Sequence, residues 1–294
     1  MKKLVFGLSL LLMAIESLGQ INDWSAVEKI FGKRGNVQEG VFKITFPRTD
    51  LKVKVGDFNV APGLALTSWV GLIRTGNNKM NMENESMMMG DLVLSENEVA
   101  TVISKIVSVN LEVTAVHNHL IGELPTIKYV HFSGKGDAVK LAEAIKSVIS
   151  VTGTPLTASQ AQKIPEIPDW EKVKAILGNS GKENGNLLQY SFPRFEKLTE
   201  SGMEMPPYMG MATAINFQME GNKAAITGDF VLLADEVNPV VKELTAYGIA
   251  VTAIHNHMLY DNPRLFMLHF WAVDDPGKLA AGLKAALDKT NVKM

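Results

Sequence analysis

The chain has no cysteine. That absence excludes disulfides, thiolate metal sites and the lipidated cysteine of a lipoprotein anchor. Any soft metal ligand must therefore be methionine or histidine. Aromatic residues are scarce at 7%, which leaves little for a sugar-binding surface built from exposed rings. There is no long basic run, and the formal charge of the 294 residues is -2. The cationic surface that a phosphate backbone requires is missing, and nucleic acid is not expected as a partner. Beyond Gln20, no stretch is long and apolar enough to span a bilayer as a helix.

Hydrophobic residues make up 46% of the chain and charged residues 20%, the balance of a globular protein with material for one or two cores. At the start, Lys2 and Lys3 precede an apolar run from Leu4 to Ile15, followed by the small residues Ser17 and Gly19. This pattern predicts a signal peptide over residues 1–19, delivery to the periplasm or outside the cell, and no stable membrane anchor once the signal is removed.

The rest of the chain is written twice. VTAVHNHL at 113–120 returns as VTAIHNHM at 251–258, GDLVL at 90–94 returns as GDFVL at 228–232, and His131-Phe132 matches His269-Phe270. These matches share an offset of 138 residues (255 minus 117). Earlier the offset is 146: Trp24 matches Trp170, and FPR at 46–48 matches FPR at 192–194. The extra residues of the first copy surround the Met-rich stretch NKMNMENESMMM. A tandem duplication follows, with repeats at 20–149 and 170–294 and a Ser, Thr and Pro-rich linker at 150–169.

Each copy has a legible pattern. GDLVL reads as a strand, and Ser95 and Glu98 have capping-box spacing at the start of a helix. Val99, Val102, Ile103, Ile106 and Val107 follow the stripe of a helix packed on a sheet, as do Val237, Val240, Val241 and Leu244. Asn110 and Gly248 suit the left-handed conformation that ends a helix. LEVTAVHNH then begins a strand, and IKYVHFSG reads as its antiparallel partner after a loop containing Pro125. Leu141, Ala142, Ile145, Val148 and Ile149 mark a second helix, while VFKITFPR and TSWVGLIR read as further strands. The expected fold class is α+β, each half an antiparallel sheet with helices packed on one face.

All six histidines obey one pattern: His117, His119 and His131, then His255, His257 and His269, each copy an H-x-H with a third His twelve residues on. On a strand, the members of an H-x-H pair project from the same face, roughly 6.5 to 7 Å apart. If the next strand pairs without a bulge and His131 lies opposite an odd-numbered residue, its ring joins the same face. Three neutral imidazoles would then form a site for a divalent ion with room for water, zinc by default. A structural hydrogen-bond network and a polar organic-ligand pocket are the competing readings. Copper enters through the methionines, among them Met80, Met82, Met87, Met88 and Met89, then Met203, Met205, Met209 and Met211, although Met also fills core gaps.

Other repeated residues carry smaller expectations. Glu123 and Asp261, in matching loops, are candidates for a fourth ligand or a catalytic base. Asp91 and Asp229 are placed to orient a ligating histidine through its other ring nitrogen, or to fix a turn. Arg48 and Arg194 are candidates for clamping an anion, or for fixing a turn through backbone carbonyls. Asn118 and Asn256 should point to the opposite face and orient neighbours.

The segment GDFVLLADEVNPVVKELTAYGIAVTAIHNHMLYDNPRLFMLHFW, its weaker copy GDLVLSENEVATVISKIVSVNLEVTAVHNHLIGELPTIKYVHF, FPRTDL and the tryptophan of TSWVG resemble the LppY/LpqO-like family of exported bacterial proteins, a domain of unknown function. The resemblance implies a secreted or envelope protein and brings no established reaction. The missing lipobox cysteine departs from the lipoprotein members. The leading expectation is an exported metal-binding protein, in its sharpest form a zinc hydrolase. The alternatives are a non-catalytic module for a carbohydrate, peptide or anion using the histidines, Trp69, Trp271 and Arg194, and a copper-handling protein.

Overall fold

The computed structural model describes residues 23–75, 85–157 and 168–294. The expected signal peptide, Met80 and Met82, and half of the expected linker (158–167) lie outside them. The first half runs α1 (Ser25–Phe31), β1 (Asn36–Gln38), β2 (Val41–Pro47), β3 (Val53–Val55), β4 (Phe58–Val60), α2 (Pro62–Ala65), β5 (Thr67–Arg74), β6 (Glu85–Ser95), α3 (Glu96–Ser108), β7 (Glu112–His117), β8 (Glu123–Leu124), β9 (Ile127–Asp137) and α4 (Ala138–Ile149). The second runs α5 (Glu171–Leu177), β10 (Lys182–Asn184), β11 (Leu187–Pro193), β12 (Thr199–Glu200), β13 (Met203–Glu204), a short 3-10 turn, β14 (Ala212–Glu220), β15 (Lys223–Leu232), α6 (Ala234–Ala246), β16 (Ala250–His255), β17 (Asp261–Asn262), β18 (Phe266–Asp274) and α7 (Pro276–Leu287).

Each half builds a six-stranded antiparallel sheet, in the order β1-β2-β5-β6-β9-β7 and β10-β11-β14-β15-β18-β16. The helices form for the reasons the pattern implies. Glu98 accepts from Ser95 N at 2.7 Å, closing the start of α3, and Glu236 does the same for Leu233 N at 2.8 Å. Asn110 and Gly248 take φ of 57° and 73° and end the helices. The buried stripe of α3 is narrower than its periodicity implies: Val102 and Ile106 are buried and Val107 is 61% exposed.

One face of each sheet is covered by its own helices. Met88, Leu92 and Leu94 of β6 pack there with Val102, Ile106, Ile145 and Phe132. The alternate residues of β6 face the other way: Met87 and Met89 pack against Met209, Met211 and Val231, and Val93 packs with Leu187 and Ala225. The two sheets therefore stack, giving four layers of helices, sheet, sheet and helices. Burial on both faces explains why β6 and β15 are almost wholly buried and read as continuous apolar runs rather than alternating ones.

The halves are related by a pseudo-twofold axis, and reciprocal hydrogen bonds mark it. Thr114 Oγ1 donates to His257 O at 2.6 Å, and Thr252 Oγ1 donates to His119 O at 2.6 Å. Asn118 Nδ2 donates to Thr252 O at 3.1 Å, and Asn256 Nδ2 to Thr114 O at 3.0 Å. Among the described residues, no helix is long and apolar enough to cross a membrane.

Candidate metal centre

Strand pairing aims the histidines. Ala115 lies opposite His131 and His117 opposite Tyr129, so His117 and His131 project from one face, and Ala253 lies opposite His269 in the second half. A bulge does interrupt the pairing, but it falls between Val113 and Ala115, and between Val251 and Ala253. The parity of the histidines is intact because the irregularity precedes them. The bulge frees Thr114 and Thr252 to reach the other half. His119 and His257 lie beyond the strand ends, where Asn118 Nδ2 and Asn256 Nδ2 tie the turns to Leu120 O and Met258 O at 2.9 Å each.

The two triads are one cluster. His117 stacks on His255 with ring centroids 3.6 Å apart, His119 on His269 at 3.8 Å and His131 on His257 at 3.9 Å. Every one of these pairs joins the first half to the second. Asp91 and Asp229, on the inner faces of β6 and β15, complete it. Asp91 lies 3.8 Å from Nε2 of both His119 and His131. Asp229 lies 3.0 Å from His257 Nε2, without the alignment of a hydrogen bond, and 3.9 Å from His269 Nε2.

Protonation follows from the hydrogen bonds. His255 Nδ1 contacts Asn256 O at 2.8 Å and His269 Nδ1 contacts Gly228 O at 2.7 Å. A carbonyl only accepts, so these Nδ1 atoms carry the proton and Nε2 keeps its lone pair. Nε2 of all six histidines is buried without a hydrogen-bond partner, as are Asp91 Oδ1 and Asp229 Oδ1. Orphaned buried polar atoms are uncommon in folded proteins. Eight in one place, all of metal-ligating types, could hold a cation.

Burial holds the imidazoles below their ordinary pKa, His269 at about 4, so they are neutral and ready to ligate near pH 7. Burial, then repulsion from Asp229, pushes the Asp91 carboxyl up to about 8. Burial also raises Asp229, opposed by His269 and His255. Two groups of ligand atoms lie within 4.8 Å of one another: His117, His255, His257 and His269, and Asp91, His117 and His131. The donor sets fit a divalent transition metal.

The carboxylates brought to the histidines are Asp91 and Asp229, whereas Glu123 and Asp261 are engaged in their loops. Glu123 accepts from Ile127 N at 3.1 Å, and Asp261 accepts from Leu265 N at 2.5 Å and from Arg264 at 2.7 Å. Arg48 is buried and gives its five N–H donors to Asp50, Glu98 and Val93 O. Arg194 spends its five on Glu196, Glu236 and Val231 O. Both are struts between a strand and the start of a helix, with no donor left for an anion. Met87, Met89, Met205, Met209 and Met211 form an apolar cluster between the sheets, joined by Met203.

A cavity of about 350 Å³ opens on the centre, lined by His119, His131, His257, His269, both aspartates and, farther out, Lys43, Trp69 and Thr227. Lys43 and Thr227 escape a reading of repeated residues because each differs from its counterpart: Gln189 stands at the place of Lys43 and Met89 at that of Thr227. The signal was present as a mismatch between the copies.

With these features in place, the chain can be compared with known proteins. Residues 25–151 and 171–289 match the model of the family described as Domain of Unknown Function (DUF1259). The chain belongs to that family, with two tandem copies of its domain. No curated protein matches. Among solved structures, the regulatory subunit of aspartate kinase from Thermus thermophilus is 12% identical, covering 75% of this chain and 96% of its own, with a TM-score of 0.21. The trimeric bacterial microcompartment shell protein PduB is 12% identical (87% and 90% covered, TM-score 0.21). EtuB from Clostridium kluyveri is 9% identical (76% and 86% covered, TM-score 0.21).

Proposed function

We propose that this is an exported metal-binding protein whose ion or ions sit between its two halves, zinc being the preferred occupant and hydrolysis the chemistry best suited to the site. The observation that carries the reading is the set of six buried Nε2 atoms without partners, converging with two aspartates. The lysine pair before an apolar run and the resemblance to LppY/LpqO-like proteins support export.

Histidine and carboxylate donors favour zinc over the softer copper(I), and the described methionines among those that raised copper pack as apolar filling. The ion would supply Lewis acidity toward a carbonyl or phosphoryl group. Asp91 and Asp229, which lie 3.0 to 3.9 Å from histidine Nε2 atoms, would complete the ligand set or move a proton beside it, the role the sequence offered to Glu123 or Asp261. His119, His131, His257 and His269 border the cavity and hold the reacting end of a substrate against the centre. The non-catalytic module loses two of its groups: Arg194 has no free donor, and the Trp271 ring packs edge-on against Phe58 at 6.1 Å.

Elemental analysis of protein purified without a histidine tag, repleted with zinc and dialysed, tests the reading. About one to two equivalents of zinc per chain are expected. Near-zero zinc, copper, iron and nickel would end it, and copper dominating after competitive loading would reassign the metal.

A further inference from the structure

The histidines and aspartates obey the pseudo-twofold relation, but the cavity they line does not. Thr45 lies opposite Trp69 in the first sheet and Ser191 opposite Ala214 in the second, so Trp69 has only an alanine as its counterpart. Lys43, two residues earlier on β2, is matched by the neutral Gln189. A cation and an indole thus stand on one side of the chamber without counterparts on the other.

Lys43 is held in place without being neutralised. Its Nζ sits 4.1 Å over the Trp69 ring and 4.7 Å from the Tyr208 ring centre. Ring faces attract an ammonium but leave its charge unpaired. Among the described residues no carboxylate forms an ion pair with it. The side chain is half-buried, and burial pushes its pKa down to about 8. Trp69 is itself fixed by glycines: a Cβ at Gly210 would lie 3.0 Å from the indole and one at Gly71 3.2 Å from it. Thr227 Oγ1, on the same cavity, is buried without a partner. By register, Lys43 lies two strands and two residues from Asp91, about 12 Å between backbone positions from strand spacing and rise.

We infer that the cavity takes a small organic anion, whose carboxylate or phosphate head group pairs with Lys43 Nζ while its body passes Thr227 toward the histidines and aspartates. This rests on the metal-centre reading for the far end of the ligand only. At about 350 Å³ the space is at the small end of ligand pockets, which fits a metabolite-sized molecule. A lone ammonium fits either head group as a point charge.

Calorimetry on the zinc-loaded full chain tests the inference with phenyl phosphate, phenylacetate and the neutral phenylacetamide. At least one anion should bind, and phenylacetamide should bind about tenfold more weakly or not at all. Lys43→Gln, which installs the residue the second copy carries, should weaken the anion about tenfold or more while zinc content stays unchanged. Lys43→Arg should restore most of the affinity. The ratio of phenyl phosphate to phenylacetate binding identifies the head group. Failure of both anions to bind, or equal anion affinity in Lys43→Gln, overturns the inference. Repeating the titration on metal-free protein separates the two readings, because dependence on Lys43 there survives loss of the metal.

Discussion

His117 and His255 occupy corresponding positions in the two copies, and their rings stack with centroids 3.6 Å apart and planes 18° from parallel. Two imidazolium rings would repel at that distance, so the contact requires at least one neutral ring, as burial ensures. The stack lies where the pseudo-twofold axis passes between the sheets. Of the two groups of converging ligand atoms, His117 with His255, His257 and His269 draws on both halves, whereas Asp91, His117 and His131 all belong to the first. The four-histidine group forms only where two copies pair, and the duplication makes that pairing intramolecular.

Shared ligands predict a pattern of metal loss. His117 belongs to both groups of converging ligand atoms, so His117→Ala should lower bound zinc by more than half. His131→Ala in the first copy and His257→Ala in the second should each deplete zinc across the centre, since these two rings stack on one another. Zinc per chain, measured on each variant and on the double, decides the matter. Two independent sites would instead leave half the metal in each single variant and give additive losses.

The metal-free protein should be most stable near pH 6.5. The imidazoles have folded pKa values below their ordinary 6.5, His269 at about 4, so the unfolded chain takes up protons first as pH falls. Stability contributed by the neutral rings is full above about 6.5 and is lost toward pH 4. Asp91 behaves oppositely. Its folded pKa is raised from 3.8 to about 8, so stability is lost as pH rises through that range, and between 6.5 and 8 this is the change that remains at the centre. Melting midpoints of the stripped protein should decline from pH 6.5 to 8, and Asp91→Asn should flatten the decline. Zinc should raise the midpoint more at pH 8 than at pH 6. A midpoint of the stripped wild type climbing steadily from pH 6 to 8 would refute the assignment.

Period-two and period-3.6 patterns exposed most of the fold, because each half satisfies them locally. β2, β5, β9 and α4 lie where their apolar residues imply. The stacking of the sheets was less visible. Its trace is the run of buried residues through β6, where Met87, Met89 and Val93 serve one interface while Met88, Leu92 and Leu94 serve another. The histidines were legible because both copies keep them. The merger into one cluster was not, since it depends on the distance between halves. Asp91 and Asp229 stood out in the repeat as partners for a histidine or as turn residues, and their place on the inner faces of β6 and β15 is what brings them beside Nε2. Lys43 and Thr227 had no repeated pattern to announce them.

Arg48 and Arg194 should prove to be stability residues. Arg194→Ala strands the Glu236 and Glu196 carboxylates and the Val231 carbonyl, and should cost about 3 kcal/mol, the scale of breaking a buried pair. Arg194→Lys should also destabilise, because one ammonium cannot replace five donors in a fixed fork. Urea unfolding of both variants tests this, with anion affinity as the contrasting readout. A variant that unfolds like wild type but loses affinity for phenyl phosphate would restore the anion-clamp role.

The hydrogen bonds that cross the axis predict coupling between each half and the opposite metal-binding turn. Thr114 donates to the carbonyl of His257, and Thr252 to that of His119. Thr114→Val keeps the shape, removes the donor and leaves a carbonyl beside the centre without its partner, at a cost of about 1 to 2 kcal/mol. Because that carbonyl belongs to the second copy's HNH turn, zinc should dissociate faster although the substituted residue touches no ligand nitrogen. Thr252→Val should do the same through His119. Amide exchange should quicken at Asn256–Met258 in the first variant and at Asn118–Leu120 in the second. Stability within about 0.3 kcal/mol of wild type, together with an unchanged zinc off-rate, would show that the halves are held together by apolar packing alone.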